Sequence, residues 1–170
     1  RIYGYNNISS TIGSCASKST GRTAKQIGKK KIDAILQSVG CFECYSYSFI
    51  GQKDYDALCL TQDDKKRNSV KIKNPLGEDT GLLRTTLIPS IVTHLSHNYK
   101  NRNSKAWLYE IGRTFTPKGE DEQPEEKNVV TVGLYGDCDF YTIKGIAQTL
   151  IGNEFDKCEV VAISEQPFHS

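Results

Sequence analysis

The residues in this sequence best suited to chemistry are two close pairs of metal-ligand type. Cys41 and Cys44 have CxxC spacing, and His94 and His97 lie three residues apart. A structural zinc ion needs four ligands, and the sequence has no second CxxC or Cys/His pair to complete such a site. If Cys41 and Cys44 lie on a strand, residues three apart point to opposite faces, so their sulfurs would diverge. We therefore predict no metal site and interpret the histidines as surface residues.

Catalytic signatures are missing from the sequence as well. It contains no GxxxxGK[ST] phosphate loop, no GxSxG nucleophile elbow and no HExxH zinc motif. The residues taken alone therefore predict an α+β domain with no evident active site. One alternative remains open, because Lys25, Lys29, Lys30 and Lys31 lie together. They form either the solvated face of a helix or an RNA-facing patch.

Composition limits the class of protein further. The 170 residues are 37% hydrophobic and 25% charged, with a net charge of +2, which favours a folded domain over disorder. The charge is too small to indicate nucleic-acid binding by the whole chain. No apolar run approaches the roughly 20 residues of a membrane span. We interpret the six cysteines as reduced thiols of a cytoplasmic protein.

Helix boundaries are marked by capping residues. Thr23 and Gln26 have capping-box spacing, and Gly40 can end the helix that they begin. A second helix is predicted with Pro89 in its first turn, capped by Thr85 or Thr86. Asp139 is predicted to cap a third helix. The apolar stripes of the three helices are Ile32, Ile35, Leu36 and Val39; Ile91, Val92, Leu95 and Tyr99; and Ile143, Ile146, Ala147 and Leu150, with Gly152 beyond the last.

Alternating apolar residues predict the strands. Residues 42–50 alternate with Tyr45, Tyr47 and Phe49 on one side, which predicts a strand with an aromatic face. Further strands are predicted at residues 70–73, 107–115, 129–135 and 158–163, with a bulge at Gly112. Residues 118–127 are predicted to form an exposed hairpin loop. The order of these elements predicts a mainly antiparallel sheet with helices packed on it.

Six segments together carry a resemblance to a known family. In chain order they are residues 1–8 (RIYGYNNI), 74–76 (NPL), 83–89 (LRTTLIP), 108–115 (LYEIGRTF), 139–145 (DFYTIKG) and 167–169 (PFH). They are similar to segments of the phenylalanyl-tRNA synthetase beta chain family that read approximately RIYGYDNI, NPL, LRTSLLPGLL, LFEIGRVF, DFFDLKG and PxLHPGR. Their order and spacing match over nearly the whole chain, which makes the combination specific.

The resemblance implies a fold and an assembly. The fold would be that of class II aminoacyl-tRNA synthetases, an antiparallel sheet flanked by helices. Residues 1–20 would be the tail of a preceding small domain and a linker, and residues 21–170 a synthetase-like core domain truncated at its C-terminus. The parent would be a heterotetramer in which the alpha chain charges tRNA with ATP and magnesium. The magnesium ligands of the small domain would precede Arg1, so no cofactor is expected in this chain.

The same resemblance implies that the core domain is inactive. Class II active sites carry an Arg-x-Glu strand whose arginine neutralises the ATP α-phosphate. If Glu110 matches that glutamate, Leu108 occupies the place of the arginine, and Arg113 lies three residues beyond the glutamate. No catalytic residue is therefore assigned. The alternatives are an active class II ligase domain with rearranged residues and an RNA-binding module that uses the lysine-rich helix.

The remaining site predictions are structural. Charged residues within apolar elements usually need partners, so Arg84, Glu110 and Arg113 should form buried or interface ion pairs. Trp107, Tyr109 and the aromatic face of residues 45–49 should be core or surface that the alpha chain covers. The structural or interface candidates are Arg84, Pro89, Trp107, Glu110, Arg113 and Lys144.

Overall fold

The computed structural model of the chain describes residues 2–119 and 122–152, and the predicted strand at 158–163 lies outside these ranges. The helices are α1 (Ala24–Ser38), α2 (Gln52–Ala57), α3 (Ile88–Lys100) and α4 (Phe140–Ile151), and the strands are β1 (Phe42–Glu43), β2 (Phe49–Ile50), β3 (Leu82–Leu83), β4 (Ala106–Thr116) and β5 (Glu125–Tyr135). The described residues thus combine α and β structure, as predicted. None of the helices between residues 2 and 152 has the length and apolar character that a bilayer crossing requires.

The main sheet has the strand order β1-β4-β5. β4 and β5 form an antiparallel hairpin, in register from Ala106 opposite Tyr135 to Thr116 opposite Glu125. β1 runs parallel to β4, with Phe42 beside Leu108, so the sheet is mixed rather than wholly antiparallel. β2 and β3 form a separate antiparallel pair.

The two faces of the β4–β5 hairpin are covered by different helices. On one face Tyr109 belongs to a core with Leu36 and Cys41 from the α1 region and Ile146 of α4. The other face carries α3, which approaches so closely that a Cβ at Gly133 would lie 3.1 Å from Ile91 Cγ1. A smaller core of Ile50, Tyr55 and Leu60 lies beside β2 and β3.

The helix ends follow the sequence prediction closely. Thr23 and Gln26 form the predicted capping box, and Gly40 takes the positive φ of 90° that the predicted stop requires. Asp139 caps α4 by accepting a hydrogen bond from Thr142 N at 2.8 Å. At α3, Pro89 lies in the first turn and the cap residue is Leu87. Thr86 still contributes, since its hydroxyl accepts from Ile88 N at 3.3 Å.

The prediction of one strand over residues 42–50 is wrong. The segment holds two short strands, β1 and β2, which belong to different sheets, and residues 44–48 between them are irregular. The side chains of these residues still alternate, because hydrogen bonds to β4 and to Arg84 hold the segment extended. Alternation therefore arises here without a continuous strand ladder.

Three further details differ from the predictions. Gly112 makes no bulge, because the β4–β5 register is continuous through it. In the 70–73 segment only Lys71 forms a bridge, to Leu82. In the apolar stripe of α3, Ile91 is buried but Val92 and Tyr99 are exposed. In the stripe of α4, Ile143 is exposed as well, at 37%. The apolar stripes of both helices are therefore narrower than the sequence suggests.

The basic residues of α1 do not share one solvated side. Lys25 and Lys29 line a cavity together with Ile32 of α1 and Ile111 of β4, and Lys29 is half-buried there, whereas Lys25 is exposed. Lys30 and Lys31 are exposed. Residues 9–23, which precede α1, have no helix or strand and are exposed throughout. The linker at residues 1–20 and the domain boundary at residues 20 and 21 stay predictions.

Candidate functional site

A buried ion pair lies at the junction of three chain segments. Arg84 and Glu110 are each 2% exposed, and Arg84 Nη1 donates to Glu110 Oε1 at 2.8 Å. The same nitrogen donates to Ser46 Oγ at 2.7 Å, and the Ser46 hydroxyl donates to Glu110 Oε2 at 2.5 Å. Both carboxylate oxygens are therefore satisfied from within the chain. We call Ser46, Arg84 and Glu110 the buried triad.

The main chain of Arg84 ties the same segments together. Its N–H donates to Ser48 O at 3.0 Å, and its carbonyl accepts from Phe115 N at 2.9 Å. Its Nε donates to the carbonyl of Arg113 at 3.0 Å. Arg84 thus joins residues 46–48 to β4 through both its backbone and its side chain.

Gly112 of β4 has no side chain, and the buried triad occupies the space that a side chain would fill. A Cβ on this residue would lie 3.1 Å from Glu110 Oε1 and 3.0 Å from Leu87 Cδ2, and it would overlap Arg84 Nη2. The glycine that suggested a bulge is therefore required by the close approach of the arginine.

Two tyrosines project outwards directly above the triad. Tyr45 and Tyr47 are 70% and 80% exposed, on either side of the half-buried Ser46. The next outward residue, Phe49, is 40% exposed. These side chains form one wall of an open, mainly apolar cleft of about 540 Å³, whose other lining residues include Pro89, Thr93 and His94 of α3. We call Tyr45, Tyr47 and Phe49 the aromatic segment.

Lys29 and Glu43 hold one end of the aromatic segment. Lys29 Nζ lies 3.4 Å from Glu43 Oε1 and 5.6 Å from the centre of the Tyr45 ring. Burial opposes the charged form of Lys29, but the Glu43 carboxylate outweighs it and raises the lysine pKa. A hydrogen bond to Glu43 likewise raises the pKa of Tyr45. This lysine is thus engaged by its own chain.

The pKa values of the two cysteines beside the site are raised. Burial, with the carboxylates of Glu110 and Glu43, raises the pKa of Cys44 to about 11, and burial also raises the pKa of Cys41. The five cysteines within the described ranges are free. No cluster of three or more His, Cys, Asp or Glu side chains that could hold a metal ion occurs in that part of the chain.

The predicted site residues fall into separate environments. Each of the three charged candidates has a partner of opposite charge, as predicted: Arg84 and Glu110 form a buried pair with each other. Arg113 forms an exposed pair with Glu126, with Arg113 Nη1 2.8 Å from Glu126 Oε2. Leu108 lies two residues from Glu110 on the same strand and is half-buried. Pro89 is buried at the cleft; Trp107 packs against the core with Tyr109; and Lys144 is half-buried in α4.

Sequence reasoning missed Ser46, the third member of the triad. Its signal was present in the alternation of residues 45–49, which places Ser46 and Ser48 opposite the aromatic side chains. An inward-facing hydroxyl next to a buried charge is a candidate hydrogen-bond partner. Its partners lie 38 and 64 residues away, and that separation hid them.

The fold is similar to solved structures of a tRNA synthetase. Two structures of pyrrolysyl-tRNA synthetase from Desulfitobacterium hafniense each match with a TM-score of 0.62 and 14% identity, over 76% of this chain and 47% or 46% of theirs. At this identity the likeness establishes the fold alone.

Residues 8–170 match the family described as the phenylalanyl tRNA synthetase beta chain CLM domain. The chain belongs to the phenylalanyl-tRNA synthetase beta chain family. The phenylalanine–tRNA ligase beta subunit of Clostridium tetani is 42% identical over 99% of the chain, that of Clostridium acetobutylicum 41% over 89%, and that of Bacillus subtilis 29% over 99%. The resemblance found in six short segments thus extends across the sequence.

The chain spans about a fifth of the length of these relatives. It covers 22% of the C. tetani protein and 19% of the C. acetobutylicum protein. The ligase activity that their names state belongs to much longer beta subunits. What this chain contributes to such an activity has to be argued from its own residues.

Proposed function

We propose that this chain is a non-catalytic, class II synthetase-like core domain of a phenylalanine–tRNA ligase beta subunit, and that it supports assembly with a catalytic alpha subunit. The parent complex would be a cytoplasmic heterotetramer that charges tRNA with phenylalanine. Residues 1–20 would lead in from a preceding domain, and the core domain would begin at residue 21.

The observation that carries the non-catalytic role is the internal use of the charges on β4. Glu110 is neutralised by Arg84 and capped by Ser46, so neither charge of the pair is available to a ligand. Leu108 is apolar and cannot hold a phosphate, and Arg113 is paired with Glu126 at the surface. Transfer of a phosphoryl-linked group requires cations aimed at the developing charge.

The cleft beside the aromatic segment supports the same proposal. Its lining includes Asp54 and His94 but neither lysine nor arginine, so it offers no fixed cation to a triphosphate. We propose that ATP and magnesium bind to other parts of the parent complex.

Calorimetry tests the non-catalytic role directly. We expect the folded chain to give no saturable heat with ATP and magnesium, with phenylalanine, or with both. The competing hypothesis of an active class II ligase domain expects binding of both substrates and ATP–pyrophosphate exchange. Clear binding of both would overturn the proposed role.

The exposed aromatic segment supports the assembly role. Interface cores are enriched in tyrosine and phenylalanine and depleted in charge, and Tyr45 and Tyr47 expose most of their surface. Because the relatives are beta subunits by name, an alpha subunit is the natural partner for such a surface. We propose that the alpha subunit covers the aromatic segment and the adjoining cleft.

An RNA contact is a second candidate role, favoured by the distribution of charge. Residues 1–32 hold seven of the 22 Lys and Arg residues, whereas all 20 Asp and Glu residues follow residue 32. Basic residues near the N-terminus of α1 interact unfavourably with the helix dipole, and α1 has no acidic residue in its first turn to offset them. Folding of the helix therefore does not explain this cluster of positive charge. The exposed basic residues of this region are Lys18, Arg22, Lys25, Lys30 and Lys31, whereas Lys29 is half-buried.

Salt dependence distinguishes this role from a solvated helix face. Replacing Lys30 and Lys31 with Ala should lower the slope of log affinity for tRNA against log salt by about 1.5, since each phosphate contact contributes about 0.7–0.9. Replacement of the exposed Lys71 and Lys73 is the matched control and should leave the slope unchanged. Equal slopes for both double variants would remove the RNA role.

A further inference from the structure

We infer that the buried triad is a positioning device for the aromatic segment, and that Ser46 is the residue through which it acts. This inference rests on the proposed function, because it gives the docking surface for the alpha subunit a fixed conformation in the free chain. Arg84 and Glu110 are buried beneath the segment, and Ser46 links them to it from the wall of the cleft. They determine how the tyrosines on either side of Ser46 are presented.

The first support is that the segment carrying Tyr45 and Tyr47 has no strand pairing to hold it in one conformation. Residues 44–48 lie between β1 and β2 and form no strand, yet they carry the two most exposed aromatic side chains of that region. An extended segment without regular pairing has many accessible conformations, and ordering it on binding weakens association. Some other restraint must fix it if it is to be presented in one conformation.

The hydrogen bonds of the segment supply that restraint at three successive inward positions. Cys44 N donates to Tyr109 O at 2.8 Å, and Ser48 O accepts from Arg84 N at 3.0 Å. Between them, the Ser46 hydroxyl bonds to both members of the buried ion pair. Because side chains alternate along an extended chain, fixing residues 44, 46 and 48 inwards directs Tyr45 and Tyr47 outwards.

Ser46 holds the middle of the segment through charged partners. Hydrogen bonds to ionised groups are about twice as strong as those between neutral groups, and this hydroxyl has an anion on one side and a cation on the other. Ser48 lies two residues away and is also half-buried, but no hydrogen bond of its hydroxyl occurs among the described residues. Ser48 therefore offers a matched control of the same residue type in the same segment.

The experiment compares Ser46→Ala with Ser48→Ala in the full-length parent beta chain. The affinity for the alpha subunit is measured by sedimentation or calorimetry, and amide hydrogen exchange of residues 44–48 is measured in the free beta chain. Thermal unfolding of each variant first establishes that it is folded. Tyr45→Ser combined with Tyr47→Ser shows whether the aromatic segment itself is contacted.

We expect Ser46→Ala to weaken alpha binding by about tenfold, since the segment and its two tyrosines would then have to be ordered on binding. Exchange of residues 44–48 should accelerate in this variant while exchange in β4 and β5 stays protected. The Ser48→Ala variant should bind the alpha subunit with an affinity within about twofold of the unsubstituted chain, because the aromatic segment stays ordered in that variant.

Each contrary outcome identifies what has failed. If Ser46→Ala binds and exchanges like Ser48→Ala while the tyrosine double variant binds weakly, the positioning role is wrong and the proposed interface stands. If the tyrosine double variant also binds normally, the aromatic segment is not the interface and both are overturned. If the unsubstituted beta chain does not bind the alpha subunit at all, the proposed function itself has failed.

Discussion

Arg84 and Glu110 form a buried ion pair that is satisfied within the chain. Breaking such a pair by removing one partner typically destabilises a protein by about 3–5 kcal/mol, because the other charge stays buried. Here the guanidinium also donates to the Arg113 carbonyl, so the pair organises the backbone around it. Its charges are used for structure.

Gly112 is the residue that makes this arrangement possible. Gly112→Ala should destabilise the fold by about 1–3 kcal/mol through overpacking, because the new methyl group would press on Arg84, Leu87 and Glu110. Gly28→Ala is the control, since a Cβ at this helical glycine meets nothing within 4 Å. It should stabilise the chain by about 0.5–1 kcal/mol.

Denaturant unfolding measures both glycine variants. The expected result is a lower midpoint for Gly112→Ala and a higher one for Gly28→Ala. If Gly112→Ala unfolds at the midpoint of the unsubstituted chain, the triad is not as tightly enclosed as described.

The cysteines give a second test at the residue scale. At neutral pH Cys44 should remain a protonated thiol, because its pKa of about 11 lies far above the solution pH. Cys15 and Cys59 are exposed and should be alkylated by iodoacetamide first, with Cys41 and Cys44 protected until the chain unfolds. Mass spectrometry of the peptides follows the order, and early modification of Cys44 would contradict its described environment.

The pairing of charges was predictable from the sequence, but the identity of the partners was not. Arg84 and Glu110 stand in apolar surroundings, where charge demands an opposite charge. That Arg84 pairs with Glu110 while Arg113 pairs with Glu126 depends on how distant segments meet. Sequence patterns report on neighbours three or four residues apart and contain no such information.

Among the elements, those whose boundaries are set locally were predicted best. The capping residues Thr23 and Asp139 act on backbone groups within three residues, so their types and spacing suffice. The β4–β5 hairpin was also predicted, but β5 begins at Glu125, so the prediction of residues 125–127 as loop was wrong. Pairing with β4 extends the strand into this charged segment. The segment 42–50 failed since its alternation comes from contacts with β4 and Arg84, which lie far away in sequence.

The Asp139 cap gives α4 a dependence on acid. Hydrogen bonds from the Thr142 side chain and backbone hold the pKa of Asp139 below its ordinary value of 3.8. A lowered pKa means that the folded state favours the carboxylate, so this contribution is present above pH 4 and is lost as pH falls through the lowered pKa. We expect hydrogen exchange in the first turn of α4 to rise at low pH.

The control for this cap is Asp139→Asn, which keeps a side-chain acceptor but cannot titrate. The acid-dependent rise in exchange should be absent in that variant. If the unsubstituted chain and Asp139→Asn show the same pH profile in the first turn of α4, the charge of Asp139 plays no part in the cap.

At the scale of the whole molecule, the chain belongs to the phenylalanyl-tRNA synthetase beta chain family and covers about a fifth of the length of its relatives. The cleft beside the aromatic segment is lined by neither lysine nor arginine. The surface that stands out instead is aromatic and exposed. The exposed aromatic segment and the internally paired charges are the basis of the proposal that this surface binds another subunit.

Association with the alpha subunit tests this account most directly. Sedimentation should compare the parent beta chain, its Tyr45→Ser and Tyr47→Ser double variant, and a Tyr141→Ser control, whose ring is 74% exposed on α4. We expect the parent and the control to assemble equally well and the double variant to bind at least about tenfold more weakly, as loss of interface aromatics predicts. Undiminished assembly of the double variant would contradict the central claim that the aromatic segment is a subunit interface.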